Sequence, residues 1–259
     1  MNKLKTMLKV DFKRALISPL TFIMIGVCFV MPILILVMTT LMDGSVSVNP
    51  QTGEETVIEG FKNTFEAIDA ISGSSSASGM QMSLTSMCNI NMLFFLVAVF
   101  TCLFVCQDFR SGYAKNLFTI RAGKTDYVAS KTVVCFMVSA IMFIAYFLGT
   151  LIGGGISSLP FDLTGAGVDG LAFCMLSKIF LTLIFVSVSV LTCSFAKEKT
   201  WLAMVISLGS MMLFYTMVPM VSPLNSGALN AVLSLVGGAI FAVGLGAISR
   251  TILRKTDVI

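Results

Sequence analysis

Long apolar runs alternate with short polar stretches along the chain, and this pattern predicts membrane-spanning helices. Six runs are each long enough to cross about 30 Å of hydrocarbon as an α-helix. The basic residues that interrupt them are Lys131, near the start of the third, and Lys178, within the fourth. The predicted spans are residues 20–42, 84–106, 128–152, 171–195, 201–221 and 229–249. We therefore predict an all-α integral membrane protein, with six transmembrane helices in a single domain over residues 1–259.

The basic residues outside the spans fall on one side of the predicted membrane. Apart from Lys62 in the loop 43–83, they lie in residues 1–19, in the loop 107–131, in the turn 196–200 and in the tail. Because Lys and Arg concentrate in cytoplasmic loops, we expect both termini to be cytoplasmic and the protein to lie in the plasma membrane. The first apolar run is too long for a cleaved signal peptide, so it is predicted to be a retained span.

Composition excludes most soluble classes. The chain is 56% hydrophobic and 12% charged, whereas a soluble domain carries roughly 25% charged residues. It contains no His, which removes His-based triads, metal sites and proton relays. Its seven Cys all lie in predicted spans without metal-ligand spacing, so we expect neither a disulfide framework nor a metal site. No GxxxxGK[ST], HExxH or GxSxG motif occurs, and we predict that the chain has no catalytic residues and no cofactor of its own.

Few polar residues interrupt the spans, and these are candidates for a substrate pathway. They are Asn89 and Asn91 near the outer end of the second span, and Lys178 in the fourth. An ionisable residue within a span is a functional candidate, but Lys178 could also extend to the outer interface, which is the interpretation that we favour. No Asp or Glu lies within a predicted span, which argues against an ion-coupled carrier.

Two segments outside the spans have a pattern of their own. Residues 1–19 predict a basic amphipathic helix that lies in the headgroup layer, unless they are an ordinary positively charged flank. Its apolar face comprises Leu4, Leu8, Phe12, Ala15 and Leu16. The acidic outer loop 43–83 contains a predicted turn at 49–53 and a short helix with Phe61, Phe65 and Ile68 on one face. A solvated loop and a partly folded cap both remain open.

Glycine and proline mark two places where the spans pack or turn. Gly149 and Gly153 permit close helix packing, within the chain or across a dimer. Pro219 and Pro223 bend the chain between the last two spans, either as a re-entrant turn or as a tight outer loop.

The loop 107–131 predicts a span, a break, a short helix, a second break and another span. Ser111-Gly112 and Ala122-Gly123 supply the breaks on either side of a helix near Tyr113–Thr119. Such a helix presents Tyr113, Leu117 and Phe118 to the cytosol, so we expect the membrane surface or a soluble partner to cover them.

Taken together, these features resemble the membrane-spanning permease subunit of a type-2 ABC exporter over essentially the whole chain. The family's recurring pattern in this loop matches Asp108, Arg110, Ser111, Gly112, Lys115, Asn116, Leu117, Arg121 and Lys131. The resemblance implies that the short helix is a coupling helix, which docks on separate ATP-hydrolysing subunits. The residues implied to make this coupling are Asp108, Arg110, Gly112, Tyr113, Lys115, Asn116, Leu117, Phe118 and Arg121.

The same resemblance implies which partner subunits bind ATP and which form the substrate path. Two ABC ATPase subunits would bind ATP and Mg²⁺, and residues 113–118 would insert into a groove of an ATPase subunit. A second permease chain, identical or paralogous, would complete the substrate path within the lipid bilayer, and no nucleic acid is expected. An amphipathic or antimicrobial peptide is one possible substrate, with drugs or lipids as others. The rival classes are a channel or ion-coupled carrier, and a membrane scaffold or sensor that transports nothing.

Overall fold

The structure is a computed structural model that describes residues 3–48, 55–57, 60–68, 89–119, 123–163, 167–215 and 218–255. Helices dominate the described residues. They are α1 (Lys3–Ile17), α2 (Pro19–Leu41), α3 (Leu93–Arg110), α4 (Tyr113–Thr119), α5 (Lys124–Ile156), α6 (Val168–Ala196), α7 (Thr200–Tyr215), α8 (Val218–Val221) and α9 (Ala228–Lys255). Two 3₁₀ turns occupy Thr64–Ala67 and Ile90–Met92, and two short strands are β1 (Val46–Val48) and β2 (Glu55–Val57).

Five helices in the described part of the chain are long and apolar enough to cross a membrane. They are α2, α3 with its preceding 3₁₀ turn (Ile90–Arg110), α5, α6 and α9. They correspond to five of the six predicted spans, and the helical membrane character of the chain is confirmed. The predicted fifth span, 201–221, is divided between α7 and α8, and α7 has only 16 residues.

A small hairpin of two three-residue strands is the exception to the helical fold among the described residues. Strand β1 pairs antiparallel with β2, with Val46 opposite Val57 and Val48 opposite Glu55. Val and Thr favour extended backbone, and these residues lie outside the predicted spans. The predicted turn at 49–53 lies outside the described residues.

The helices define two ends of the bundle. We call the end that holds Arg110 and Lys124 the inner end, and the end that holds Ile90 and Ile156 the outer end. Helix α5 lies at the centre and packs against α1, α2, α3, α6 and α9. Helices α2 and α9 lie at the periphery, because only 28% and 17% of the residues in their most apolar windows are buried.

Glycines let α5 approach α2 closely. A Cβ atom on Gly149 would clash with the carbonyl oxygen of Phe29, and one on Gly153 would lie 3.0 Å from the Cα of Ile33. The close packing at these two glycines is therefore within the chain, which settles that open question.

Part of the outer loop is folded against the outer end. Phe61, Phe65 and Ile68 are buried, and the Phe65 ring meets Phe161 edge-on with 6.1 Å between centroids. The Thr64 amide donates a hydrogen bond to the Pro160 carbonyl at 3.1 Å. Residues 60–68 thus form a packed cap rather than a solvated loop.

The N-terminal helix contacts the bundle through part of its predicted apolar face and through Met7 and Asp11, which are not part of that face. Ala15 is buried, and Leu8 and Phe12 pack against the core. Met7, Asp11 and Ala15 are buried where α1 packs on α5. Leu4 and Leu16, which belong to the predicted apolar face, are 41% and 38% exposed. The buried stripe contains a carboxylate because a lysine of α5 pairs with it, as described next.

Candidate functional site

Four charged side chains meet at the inner end of the bundle and form what we call the inner ion cluster. They are Asp11 and Arg14 from α1, Asp108 from α3 and Lys131 from α5. Asp11, Asp108 and Lys131 are completely buried, and the Arg14 side chain is 34% exposed. The cluster joins three helices that are distant in sequence.

Lys131 is the centre of the inner ion cluster. Its Nζ atom lies 2.8 Å from Asp11 Oδ1 and 2.6 Å from Asp108 Oδ2. The Ser130 hydroxyl donates to Asp11 Oδ2 at 2.7 Å, and the Tyr127 hydroxyl donates to Asp108 Oδ2 at 3.3 Å. These bonds satisfy further carboxylate lone pairs, which is the condition under which buried charges are tolerated.

Arg14 is the second cation of the cluster and pairs mainly with the Asp108 carboxylate. Its Nη2 atom donates to Asp108 Oδ1 at 2.9 Å, and its Nη1 atom lies 3.7 Å from Asp11 Oδ1. Burial alone would lower the pKa of the Arg14 guanidinium, but the charge of Asp108 and its hydrogen bond raise that pKa. Two carboxylates and two cations make the cluster formally neutral.

Aromatic rings connect the cluster to the short helix α4. The Arg14 guanidinium lies 4.1 Å from the centroid of the Tyr113 ring, and Lys131 Nζ lies 5.6 Å from the same centroid. Lys131 Nζ also lies 4.7 Å from the centroid of Phe104. Tyr113 is the first residue of α4, so these cation–π contacts place the start of α4 on the buried charges.

The turn into α4 depends on a glycine. Gly112 has a φ of +72°, a conformation that residues with a Cβ atom rarely adopt. Its carbonyl accepts a hydrogen bond from the Asn116 amide at 3.1 Å, which begins the new helix. The predicted break at Ser111-Gly112 is thus present, between Arg110 and Tyr113.

The predicted coupling residues divide into a buried and an exposed group. Leu117 and Phe118 are half-buried against the chain's own core, and Phe118 meets the Tyr127 ring at 5.3 Å between centroids. Arg110, Lys115 and Asn116 are exposed. Leu117 and Phe118 therefore already have intramolecular partners, and the free face of α4 is polar. Arg121 lies outside the described residues.

A second polar cluster lies at the outer end and unites the three predicted pathway residues. Lys178 Nζ donates to Asn91 Oδ1 at 3.1 Å, and to the carbonyl and hydroxyl oxygens of Ser222 at 3.2 Å each. Asn89 Oδ1 accepts a hydrogen bond from the Asn91 amide at 2.9 Å. Asn89, Asn91 and Lys178 are each at most 1% exposed.

The favoured interpretation that Lys178 extends to the outer interface is wrong. The side chain instead stays inside the bundle, because Asn91 and Ser222 supply oxygen acceptors there. Ser222 directly follows α8, so Lys178 joins α6 to the segment between α7 and α9. We call Lys178, Asn89, Asn91 and Ser222 the outer polar cluster.

Sequence reasoning named Asp108 and Lys131 of the inner ion cluster but not their partners Asp11 and Arg14 on α1. Asp108 lies in the last turn of a helix suited to span the membrane, beyond the predicted boundary at 106, so this helix does carry a carboxylate. The sequence marks Lys131 as a basic residue near the start of the third span and as part of the loop pattern, but it does not pair Lys131 with Asp11. The sequence does contain a signal for an ion pair at this position, because Asp11 is the only acidic residue in the basic segment 1–19 and lies three positions before Arg14.

The described residues offer no alternative metal chemistry. Among them, no three His, Cys, Asp or Glu side chains are grouped so as to hold an ion. The six described cysteines are free thiols and buried.

Comparison with protein-family models, with curated proteins and with solved structures finds no match to this chain.

Proposed function

We propose that this chain is the permease subunit of an ATP-driven exporter, which works with a second permease chain and with separate ATPase subunits. One observation carries the proposal. The short helix α4 rests through Tyr113 on a buried ion cluster shared by α1, α3 and α5, while Lys115 and Asn116 remain exposed on the same helix. A helix with one face anchored on the bundle and one free face is suited to receive a partner's movement and to transmit it.

The inner ion cluster supplies the mechanical link in this proposal. Removing one partner from a buried ion pair costs about 3–5 kcal/mol, so displacement of Tyr113 and Arg14 carries Asp108 and Lys131 with it. Helices α1, α3 and α5 then move together when α4 moves. ATP hydrolysis takes place in the partner, and closure of the ATPase subunits rocks these helices between inward and outward states.

The outer polar cluster supplies the opposite end of the pathway. Asn91 and Asp108 stand at opposite ends of the α3 segment, about 26 Å apart at 1.5 Å per residue. Rotation of α3 driven from the inner end therefore acts on Asn91 and, through it, on Lys178 and Ser222. We propose an amphipathic peptide as cargo, because the bundle combines polar clusters at its ends with Met- and Phe-rich helices that can repack around an apolar face.

Co-purification of the full chain tests the proposal. Tagged chain is isolated from its native membrane in mild detergent, and bound proteins are identified and quantified by mass spectrometry. The variant Lys115→Glu/Asn116→Asp changes only exposed side chains of α4, and Lys62→Glu is a control charge reversal at an exposed position of the outer end. We expect a stoichiometric soluble subunit with a phosphate-loop motif to accompany the wild type and Lys62→Glu, and to be lost from the α4 variant.

Two outcomes would contradict the assignment. A pure preparation without any ATPase would favour a channel or a scaffold instead. Undiminished ATPase binding by the α4 variant would remove α4 from the docking surface. Substitution of Leu117 and Phe118 is less informative, since both side chains contact the chain's own core and their loss would also disturb folding.

A further inference from the structure

A groove of about 440 Å³ opens at the inner end, separate from the exposed face of α4. It lies between α1, the start of α2 and the inner part of α3. Its walls combine charged, polar and apolar side chains, namely Val10, Lys13, Arg14, Ile17, Ser18, Pro19, Phe104 and Gln107.

One side of the groove is positively charged. Lys13 is exposed and forms no ion pair with any described residue, so it carries the uncompensated charge; Arg14, one-third exposed and paired with Asp108, lies beside it. Ser18 is the N-cap of α2, but its side-chain oxygen accepts no capping hydrogen bond, and its hydroxyl can donate to a ligand in the groove. Gln107 adds an exposed amide on α3. These groups favour an anion.

The other side of the groove is apolar and continues along a helix suited to span the membrane. Val10 and Ile17 are 43% and 65% exposed, and Pro19 begins α2. Phe22 and Ile23 follow three and four positions after Pro19, so they lie on the same face one turn further on. They are 65% and 62% exposed. An apolar track therefore leads from the groove towards the middle of α2.

We propose that this groove binds the headgroup of an anionic phospholipid, whose acyl chains lie along Phe22 and Ile23. A negative headgroup joined to apolar chains matches both walls at once. A zwitterionic headgroup would bring its own cation close to Lys13 and Arg14. The inference rests on the embedding of α2 in a membrane and does not depend on the ATPase partner.

Native mass spectrometry of the full chain tests this site. The protein is delipidated in mild detergent and titrated with phosphatidylglycerol or with phosphatidylcholine of the same acyl chains. We expect one phosphatidylglycerol to remain bound and phosphatidylcholine to bind more weakly. Lys13→Gln should weaken phosphatidylglycerol binding about five-fold, since one basic residue at a membrane surface contributes about that factor.

Two further variants separate the groove from the rest of the helix. Lys9→Gln removes an exposed lysine of α1 that does not line the groove, and binding should stay unchanged. Val10→Trp fills the groove without altering charge and should reduce binding of phosphatidylglycerol. Because Lys9, Val10 and Lys13 are all exposed, none of these changes removes a core contact.

Several results would overturn the proposal. One is equal binding of the two lipids, and another is an equal loss with Lys9→Gln and Lys13→Gln. Complete competition by inorganic phosphate would show that the apolar wall plays no part. A dimeric species that excludes lipid until it dissociates would assign the groove to a second copy of the chain.

Discussion

Lys178 shows how a single side chain can be held inside an apolar bundle. Its Nζ atom has Asn91 and Ser222 as acceptors, and replacing it with Met leaves those buried oxygens without this donor. An unsatisfied buried polar group costs about 1–3 kcal/mol. We therefore expect Lys178→Met to lower the thermal unfolding temperature of the detergent-solubilised protein. A lysine that merely reached the outer interface would give no such change, so an unaltered melting curve would contradict the burial.

Replacing Lys131 should destabilise the protein more than replacing Lys178, because Lys131 pairs with two buried carboxylates. Lys131→Met leaves Asp11 and Asp108 with Arg14 as the remaining cation of the cluster, and we expect a loss of about 3–5 kcal/mol in stability. The exposed Lys115→Met is the control and should change stability by less than about 0.5 kcal/mol. Chemical denaturation in detergent measures both.

A double variant tests whether the lost charge balance of the inner ion cluster causes the destabilisation expected for Lys131→Met. Asp11→Asn/Lys131→Met removes one charge of each sign and leaves the Arg14–Asp108 pair neutral. It should be less destabilised than the sum of the two single variants, since residues in one network are not additive. Strict additivity would mean that the four charges do not act as a unit.

Gly112 belongs to the junction between two elements, α3 and α4. A Cβ atom there would meet nothing within 4 Å, so the backbone conformation alone requires glycine. Gly112→Ala should cost about 1–2 kcal/mol, because a left-handed conformation is strained for residues with a Cβ atom. Gly112→Asn should cost less, since Asn tolerates this region. Equal destabilisation by the two variants, measured by thermal unfolding, would rule out backbone strain as the cause.

The close contact between α2 and α5 should make a single added methyl group strongly destabilising. Gly149→Ala places a methyl group against the Phe29 carbonyl, so the helices must separate. Gly155→Ala, on the same helix, meets nothing within 4 Å and serves as the control. We expect Gly149→Ala alone to lower the unfolding temperature and to reduce the yield of monodisperse protein. If both variants behave alike, the close approach is not important for stability.

Elements marked by local sequence signals could be predicted, whereas contacts between distant residues could not. Apolar runs and Gly breaks are local signals, and they located α2, α5, α6, α9 and the short helix α4. The place of Asp11 in the contact face of α1 could not be found in this way, because its counter-charge Lys131 lies 120 positions away. Helical periodicity places Asp11 on a face but does not identify its counter-charge.

At the scale of the whole molecule, two polar clusters stand at opposite ends of α3 and are joined by a continuous helix. The sequence identified Asn91 and Lys178 as exceptions within the spans, but not the fact that they bond to each other. It identified the short helix of the loop 107–131, but not that Leu117 and Phe118 pack on the chain's own core. In both cases the missing information is a contact between distant segments.

The topology depends on whether α7 crosses the membrane. Its 16 residues span about 24 Å at 1.5 Å per residue, less than the about 30 Å of hydrocarbon. The four residues of α8 also fall within the predicted span, and Lys178 binds Ser222 at the outer end. We therefore expect α7 and α8 to complete one crossing between Lys199 and Asn225.

Labelling of introduced cysteines with a membrane-impermeant maleimide tests this crossing in intact cells. Lys199 and Asn225 are both exposed, and the six described native cysteines are buried, so the variants are made in a Cys88→Ser background. Asn225→Cys should react in intact cells, while Lys199→Cys should react only after permeabilisation. Ser45→Cys, in the outer loop, is the positive control for external labelling. Labelling of positions 199 and 225 from the same side would make α7 a re-entrant segment, and would move the last helix and the C-terminus to the opposite face.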